Sequence, residues 1–318
     1  MKFDEKIKQL RTLIDCALKP YINSDYVFLD LPYHSNVGDT LIAMAAKNYL
    51  SQFSHKCLYS SSEFTFDDRT ITPSTLIIFN GGGNFGDLWQ NYSVFRNKVI
   101  KKYPNNNFLI LPQSVSYNNR CNLDKDIKLF SACPNITICA RDRQSYEFLK
   151  NNFTLNNVLL VPDMAFYSNL NYFKPARRTG RTLFLRRDDI EFVDNPKYSI
   201  IPKDAEIHDW PTLENKPFLY RILYLFMKIN KRESKYIKKS LAWKIEDAYW
   251  QKVLHPYNVR SGIAFVNKYD IVYTTRLHVA VISMMLGKKT YFFDNSYHKN
   301  SALYNTWLED VDNISLIG

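Results

Sequence analysis

Two basic patterns follow apolar stretches in the second half of the sequence. Arg276 and His278 come directly after "DIVYTT", and Arg186 and Arg187 come directly after "TLFL". A guanidinium group offers paired N–H donors that match phosphate or carboxylate, and histidine titrates near neutral pH. The three arginines are therefore candidate ligands for a small anionic substrate, and His278 is a candidate acid or base. A surface ion pair or a helix terminus is the alternative for each.

A glycine-rich stretch, "NGGGNFGD", follows an apolar run at residues 75–79 and holds four of the nine glycines of the chain. Glycine permits positive φ and lets another group approach the main chain closely. We expect the amide groups of this loop, which precedes a predicted helix, to bind an anion or a sugar hydroxyl. A tight turn that packs against its neighbour is the alternative. The candidate binding residues are Gly81, Gly82, Gly83 and Asn84.

The same stretch formally matches the GxGxxG pattern of dinucleotide-binding proteins through Gly81, Gly83 and Gly86. However, it follows the third predicted strand rather than the first. Gln113 also stands at the end of the next strand, where an acidic ribose-binding residue is expected. A NAD-binding protein is therefore not favoured.

A second polar turn contains Asn36, Gly38 and Asp39, between the first predicted strand and an apolar helix. Taken alone, Asp39 is typical of a first-turn residue stabilised by the helix dipole. The chain nevertheless has two Gly-Asp turns at equivalent strand ends, Gly38-Asp39 and Gly86-Asp87. This repetition favours a shared role, with Asn36 and Gly38 in binding and Asp39 or Asp87 taking a proton from a hydroxyl.

Short β-type runs alternate with stretches of helical periodicity, which is typical of parallel α/β proteins. Strands are predicted at residues 26–31, 56–60, 75–80, 107–114, 136–140, 158–162, 182–186, 205–210, 270–275 and 289–294. Helices are predicted between most early strands and at about residues 241–252, 257–268, 278–286 and 300–309. Open α/β sheets bind ligands beyond the carboxyl ends of their strands, so the polar turns described above are expected to meet there.

The apolar rhythm stops around residues 168–181, where Pro, Gly and basic residues intervene. We therefore predict an N-terminal Rossmann-like domain at 1–170 and a C-terminal one at 171–318. The predicted fold class is α/β, with two Rossmann-like parallel-sheet domains facing across a cleft. A basic amphipathic helical insertion is predicted at about 217–250.

The net charge of +11 predicts an anionic partner: nucleic acid, an acidic membrane surface or a phosphorylated substrate. Much of the charge is local, since residues 216–244 hold nine Lys or Arg and one acid, Glu233. Interleaved aromatic and aliphatic residues make this segment resemble an interfacial helix, with a solvated hairpin as the alternative. Nucleic acid binding is not favoured, because the basic run is confined to this segment and no recognised DNA- or RNA-binding module occurs.

Several classes of protein are not supported by the sequence. The first residues form an amphipathic helix pattern rather than a leader, so we expect a cytoplasmic protein. The apolar segment at 218–229 is too short to span a bilayer and contains Arg221. The five cysteines lack metal-ligand spacing, so no metal site is expected. Serine-hydrolase, P-loop and zincin motifs do not occur.

In combination, these motifs resemble the polysaccharide pyruvyl transferase family. The matching segments include "HSNVGDTLIAMAA", "LIIFNGGGNFGDLW", "LILPQSVSY", "ARDRQSYEFL", "VPDMAFY", "LFLRRDDIE" and "DIVYTTRLHVAVISMMLGKKTYFFDNSYHKN", and they cover roughly residues 26–300. The resemblance implies two domains similar to those of GT-B glycosyltransferases. It also implies transfer of pyruvate from phosphoenolpyruvate onto a sugar as a ketal, without a metal or organic cofactor.

The resemblance assigns roles to the candidate residues. His278, in the family's Arg-x-His motif, would be the general acid, and Arg276 would bind the donor. Arg186 or Arg187 would be a second donor ligand, and the glycine-rich loop would hold the sugar. The N-terminal domain at 1–170 would then be the acceptor side and the C-terminal domain at 171–318 the donor side. Bacterial members are expected to use acceptors carried on a polyprenyl diphosphate, so peripheral contact with the inner face of the plasma membrane is a further expectation. A GT-B glycosyltransferase that uses a nucleotide sugar is the alternative.

Overall fold

The computed structural model of the protein describes residues 1–189, 191–192, 194–215, 217–232 and 239–317. The helices of the first half are α1 (Phe3–Leu18), α2 (Val37–Leu50), α3 (Gln90–Lys102), α4 (Arg120–Ser131) and α5 (Arg143–Asn152). Its strands are β1 (Tyr26–Leu29), β2 (Cys57–Ser60), β3 (Leu76–Phe79), β4 (Gly82–Gly86), β5 (Phe108–Ser116), β6 (Ile136–Ala140) and β7 (Asn157–Leu160).

The second half begins with β8 (Thr182–Leu185) and β9 (Glu206–His208). Four helices follow: α6 (Pro211–Glu214), α7 (Phe218–Arg232), α8 (Lys239–Tyr249) and α9 (His255–Val266), with a π-helical turn at Trp250–Leu254 that joins the last two. The remaining elements are β10 (Ile271–Thr274), α10 (Leu277–Met285), β11 (Lys289–Phe293), α11 (Lys299–Leu303), a π-helical turn at Tyr304–Leu308 and β12 (Ile314–Ile317).

The strands form two parallel sheets, which confirms the predicted α/β fold class. The first sheet has the order β2-β1-β3-β5-β6-β7, with β4 paired to β5, and the second has the order β12-β11-β10-β8-β9. In each sheet, the first strand pairs on one side with the strand that follows it in the sequence. The later strands are added on the other side of the first strand. The order therefore reverses between β1 and β3 and between β8 and β10, and such reversals are where open α/β sheets bind ligands.

All ten predicted strands are present, and their ends agree with the prediction within two residues. Two strands were missed. The glycine-rich stretch, predicted as a loop, forms β4, because Gly82 pairs with Gln113 and Gly86 pairs with Ser116 of β5. β12 was also missed; its residues pair with β11 at the edge of the second sheet.

One hydrophobic core contacts both sheets. It contains Ile42 of α2, Leu185 of β8 and Val281 of α10. Helix α1 adds Leu10 to the same core, and its Lys6 ammonium lies 2.7 Å from Asp310 near the end of the chain. The predicted boundary between residues 170 and 171 stays a prediction; it lies between the last strand of the first sheet and the first strand of the second.

The predicted insertion at 217–250 contains α7 and α8. On its inner side, Tyr220 and Leu223 pack with Trp250 and Leu254. Asp247 of α8 accepts hydrogen bonds from Tyr33 and Thr65, so this end of the segment rests on the first half of the chain. Lys216, Lys235 and Lys238 of the basic run lie outside the described residues. None of the helices in the described ranges is long and apolar enough to cross a membrane.

Candidate active site

The two points where strand order reverses open into one pocket of about 260 Å³. Asp30 and Asn80 line it from the ends of β1 and β3 in the first sheet. Arg187 and Arg276 line it from beyond β8 and β10 in the second sheet. Residues that are far apart in the sequence therefore meet because both sheets present the same ends to the pocket.

His278 lies on the first turn of α10 and meets the first half of the chain at Gly38 of α2. A Cβ atom added to Gly38 would lie 2.5 Å from Nδ1 of His278. On its other side, Nε2 of His278 lies 3.6 Å from Oδ2 of Asp163. The histidine side chain lines the pocket and is 12% exposed. The Nδ1 edge of the ring thus packs on the main chain of Gly38, and Nε2 is buried without a hydrogen-bond partner among the described residues.

Asp163 belongs to a buried polar chain that the sequence analysis did not identify. Arg141 donates from Nη1 to Asp163 at 2.8 Å and from Nε to the hydroxyl of Ser114 at 2.8 Å. Although burial alone raises the pKa of the Asp163 carboxyl, His278 and Arg141 hold it well below its usual range. Asp163 is therefore an anion beside the imidazole. Both Arg141 and Asp163 directly follow predicted strands, and this position is the feature of the sequence from which they could have been identified.

Arg276 is buried and paired with an acid of its own half. Its Nε and Nη2 donate to the two carboxyl oxygens of Asp209, both at 2.5 Å. Nη2 also lies 3.5 Å from Oδ2 of Asp189. This fixes the plane of the guanidinium group, since a two-point pair with a carboxylate restricts its rotation.

Arg187 contacts the same Asp189. Its Nε and Nη2 donate to the two oxygens of Asp189 at 2.7 and 2.9 Å, and its Nη1 donates to Glu191 at 2.7 Å. Lys299 lies 3.6 Å from Glu191, and burial lowers the pKa of its ammonium group despite this acid. The Asp189 carboxylate thus lies between Arg187 and Arg276.

The glycines of the first half have different neighbours. A Cβ atom at Gly81 would lie 2.7 Å from the carbonyl oxygen of Pro112, and one at Gly86 would lie 1.9 Å from that of Ser116. Close packing against β5 therefore explains why both positions are occupied by glycine. At Gly83 the nearest atoms are Nη2 of Arg141 at 3.2 Å and Nζ of Lys299 at 3.4 Å.

Of this glycine-rich stretch, Gly81, Gly83 and Asn84 line the pocket, and Lys299 donates to the carbonyl of Gly83 at 3.3 Å. Gly82, which has a φ of 139°, faces Ile42 instead. The expectation that these amides stand at the start of a helix was wrong. They form a strand, and α3 begins only at Gln90.

Asn36 and Asp39 also line the pocket. The side chain of Asn36 caps α2 by accepting from the amide of Gly38 at 2.9 Å. The carboxylate of Asp39 lies 3.7 Å from Nε2 of His34 and is about one third exposed. The second Gly-Asp turn, Gly86-Asp87, does not place its aspartate at the pocket.

Asp87 and Arg186 are not among the lining residues. Asp87 accepts from the amides of Asn118 and Asn119 at 2.7 and 2.8 Å, so it caps the turn before α4. The guanidinium of Arg186 lies over the ring of Phe192 at 5.3 Å. Of the two neighbouring arginines beyond β8, Arg187 therefore reaches the pocket and Arg186 does not.

The lining residues that were not singled out from the sequence include Asp30, Trp89 and Tyr92. Asp30 is 2% exposed and has a φ of 69°, a backbone conformation that is uncommon outside glycine. Trp89 is 37% exposed at the pocket, and amphipathic rings of this kind are common beside polar groups in ligand sites. No group of three or more metal-ligating side chains occurs within the described ranges.

The fold and pocket define a two-sheet α/β protein with one pocket lined from both points of strand reversal. The family model of the polysaccharide pyruvyl transferases matches residues 36–297. Of the lining residues named above, Asp30, His34 and Lys299 lie outside this range and the others lie within it. The chain belongs to the polysaccharide pyruvyl transferase family.

Similar proteins span most of the chain. One of them is EpsO of Bacillus subtilis (strain 168), which is named as a proposed pyruvyl transferase. It is 31% identical over 314 residues, which cover 98% of this chain and 92% of EpsO. Pyruvyl transferase 1 of Schizosaccharomyces pombe is 27% identical over 304 residues, covering 91% and 71%. A crystal structure of a Klebsiella pneumoniae protein, 19% identical, has the same fold with a TM-score of 0.65, covering 97% and 98%.

Proposed function

We propose that the protein transfers pyruvate from phosphoenolpyruvate to a sugar and forms a ketal. The observation that carries this proposal is the convergence of His278 and two arginines, Arg276 and Arg187, on one pocket. The main chain of Gly81 and Gly83, from the first half of the chain, lines the same pocket. This arrangement suits a small donor with two anionic groups next to a polar acceptor.

The donor binds through its phosphate and carboxylate. Arg276 and Arg187 are both held in place by carboxylates, and both lie near Asp189. Phosphoenolpyruvate takes over part of the contacts that Asp189 makes, because planar guanidinium groups match phosphate and carboxylate oxygens. We assign the second donor contact to Arg187 rather than Arg186, since only Arg187 lines the pocket.

His278 donates a proton to the methylene carbon of the donor, which makes the neighbouring carbon electrophilic. A sugar hydroxyl adds to that carbon, phosphate leaves, and a second hydroxyl closes the ketal. Asp163, which stays anionic, lies 3.6 Å from Nε2 and favours the protonated imidazole through its charge. The pocket lining around Gly83 and Asn84 receives the sugar, and Trp89 offers an apolar ring face to it.

The acceptor is a sugar carried on a polyprenyl diphosphate, and the protein makes peripheral contact with an anionic membrane surface. Support comes from α7, where Phe218, Ile222 and Leu225 are 70%, 42% and 60% exposed. Their spacing of four and three residues places them on one face of the helix. An apolar helix face within a basic segment is typical of helices that lie in the membrane interface.

The test is incubation with phosphoenolpyruvate and a panel of lipid-linked sugars, following phosphate release and the mass of the sugar product. His278→Ala is expected to lower turnover at least about 100-fold, as is usual when a general acid is lost. His298→Ala is the matched control, because that side chain is 74% exposed and contacts Asp294. Binding of a nucleotide sugar without any reaction of phosphoenolpyruvate would favour a glycosyltransferase instead.

A further inference from the structure

Two buried aspartates line or support the same pocket, and their surroundings are opposite. Asp163 accepts from Arg141 through one oxygen and from the amide of Ala165 through the other, both at 2.8 Å. Asp30 accepts from Arg96 through Oδ2 alone, at 3.2 Å. Carboxylates that are held so differently within one site usually have different protonation roles.

The contact between Asp30 and Arg96 is weaker than an ordinary buried ion pair. The same nitrogen, Nη2 of Arg96, also donates to Asn84 at 3.1 Å. The guanidinium lies over the rings of Phe79 and Phe85, at 5.8 and 5.0 Å. Arg96 is therefore held largely by aromatic faces, and it leaves Oδ1 of Asp30 without a hydrogen bond from the described part of the chain.

The backbone of Asp30 is also unusual. Asp30 directly follows β1, at the point of strand reversal, and its φ of 69° lies in the left-handed region. A strained residue of this kind is commonly found at functional sites, where the surrounding structure holds it in place. Here it brings the carboxyl group to the pocket lining instead of leaving it between β1 and its neighbours.

The charged and titratable groups that face Asp30 are Arg96 and Tyr92 of α3 and Glu63 of the loop after β2. Burial raises the pKa of the Asp30 carboxyl to about 6, with Arg96 lowering it and Glu63 raising it further. A carboxylate with such a value accepts a proton near neutral pH more readily than an ordinary one.

We propose that Asp30 is the catalytic base that takes the proton of the acceptor hydroxyl. The inference rests on the proposed function and replaces Asp39 and Asp87 in this role. As the hydroxyl oxygen bonds to the electrophilic carbon of the donor, its proton passes to Asp30, while His278 gives a proton to the methylene carbon. When phosphate leaves with the electrons of its bond to that carbon, the second hydroxyl adds and its proton goes to the phosphate.

Asp39 is less suited to this role. Its side chain is about one third exposed, and its contact within the pocket is with His34 at 3.7 Å. Asp30 also lines the pocket and is 2% exposed. A base needs to be close to the hydroxyl and shielded from water, and Asp30 meets the second condition better.

The experiment measures the pH dependence of kcat for pyruvyl transfer and the affinity for phosphoenolpyruvate by calorimetry. Asp30→Asn is expected to lower kcat at least about 100-fold and to abolish the fall in kcat below about pH 6, while donor affinity changes less than about threefold. In Asp39→Asn, kcat is expected to fall below about pH 6 as it does in the wild-type protein. Asp126→Asn is the control for loss of a buried carboxylate of the same half, since Asp126 accepts from Asn97 and Tyr117 outside the pocket.

A second variant keeps the test independent of folding. Asp30→Gly suits the left-handed backbone and leaves space for a small carboxylate, so added formate is expected to restore part of its activity. Loss of donor binding in Asp30→Asn, or an inactive Asp30→Gly that formate does not rescue, would assign Asp30 a purely structural role. Nearly normal kcat in Asp30→Asn would also overturn the inference. Failure of the wild-type protein to transfer pyruvate would instead refute the proposed function itself.

Discussion

The imidazole of His278 occupies the space that a side chain at Gly38 would need. A Cβ atom there would lie 2.5 Å from Nδ1 and 2.9 Å from Cγ of the ring. Gly38 belongs to a helix of the first half and His278 to a helix of the second. The position of the candidate general acid is therefore set jointly by the two halves of the chain, and the first prediction tests this contact.

Gly38→Ala is expected to displace the imidazole and lower kcat at least about tenfold. Stability should fall by about 1 to 3 kcal/mol, because the added methyl group overlaps Nδ1 and Cγ of a largely buried ring. Steady-state kinetics and thermal unfolding measure the two effects. In the His278→Ala background the added methyl group should be accommodated without further loss of activity. Full activity of Gly38→Ala would show that the contact has no role.

Arg276→Lys is expected to raise KM for phosphoenolpyruvate about 10- to 100-fold, because lysine cannot make two parallel hydrogen bonds to the donor or to Asp209. Arg181→Lys is the matched control. Arg181 pairs with Glu206 through the same two-point geometry, at 2.8 and 2.7 Å, and lies outside the pocket lining. Equal KM values for the two variants would argue against donor binding by Arg276.

Asp247→Asn is expected to stabilise the protein at pH 8 and to have little effect at pH 4. Burial raises the pKa of the Asp247 carboxyl to about 6, and its Oδ2 is buried without a hydrogen-bond partner among the described residues. Because the pKa of Asp247 is higher in the folded state than in the unfolded state, ionisation of this carboxyl destabilises the fold. The destabilisation develops between pH 3.8 and about pH 6, is complete above about pH 6 and is absent below pH 3.8. Removing the charge should therefore raise the free energy of unfolding by about 1 to 3 kcal/mol at high pH. Denaturant unfolding at both pH values measures this.

Phe218→Ser combined with Leu225→Ser is expected to reduce flotation with phosphatidylglycerol vesicles several-fold, because both side chains lie on the exposed face of α7. Leu155→Ser is the control, since Leu155 is 64% exposed at a turn of the first half. Vesicles of phosphatidylcholine should bind the wild-type protein weakly. Unchanged flotation of the double variant would contradict membrane contact through this face.

The fold could be predicted from the sequence because buried parallel strands form apolar runs and the runs alternate with helical periodicity. β4 could not be predicted, since Gly82, Gly83 and Gly86 supply no side-chain pattern. Its pairing depends on the partner strand β5, where Ser116 leaves room only for glycine.

Within the candidate site, Arg276 and His278 could be found because they follow a strand directly. Arg186 and Arg187 could not be distinguished, since the sequence does not show which of two neighbours faces the pocket. Asp30 and Asp163 were missed for a related reason: an acid at a strand end is common, and its role depends on partners such as Arg96 and Arg141, which are distant in the sequence.

Helix α1 has a consequence for how the protein denatures. Its Leu10 and Ile14 enter the core shared by the two sheets, and its Lys6 lies 2.7 Å from Asp310 of the second half. A molecule in which one helix packs against both halves in this way should melt in a single cooperative step rather than half by half. Heating would then abolish the pocket and the two sheets at the same temperature.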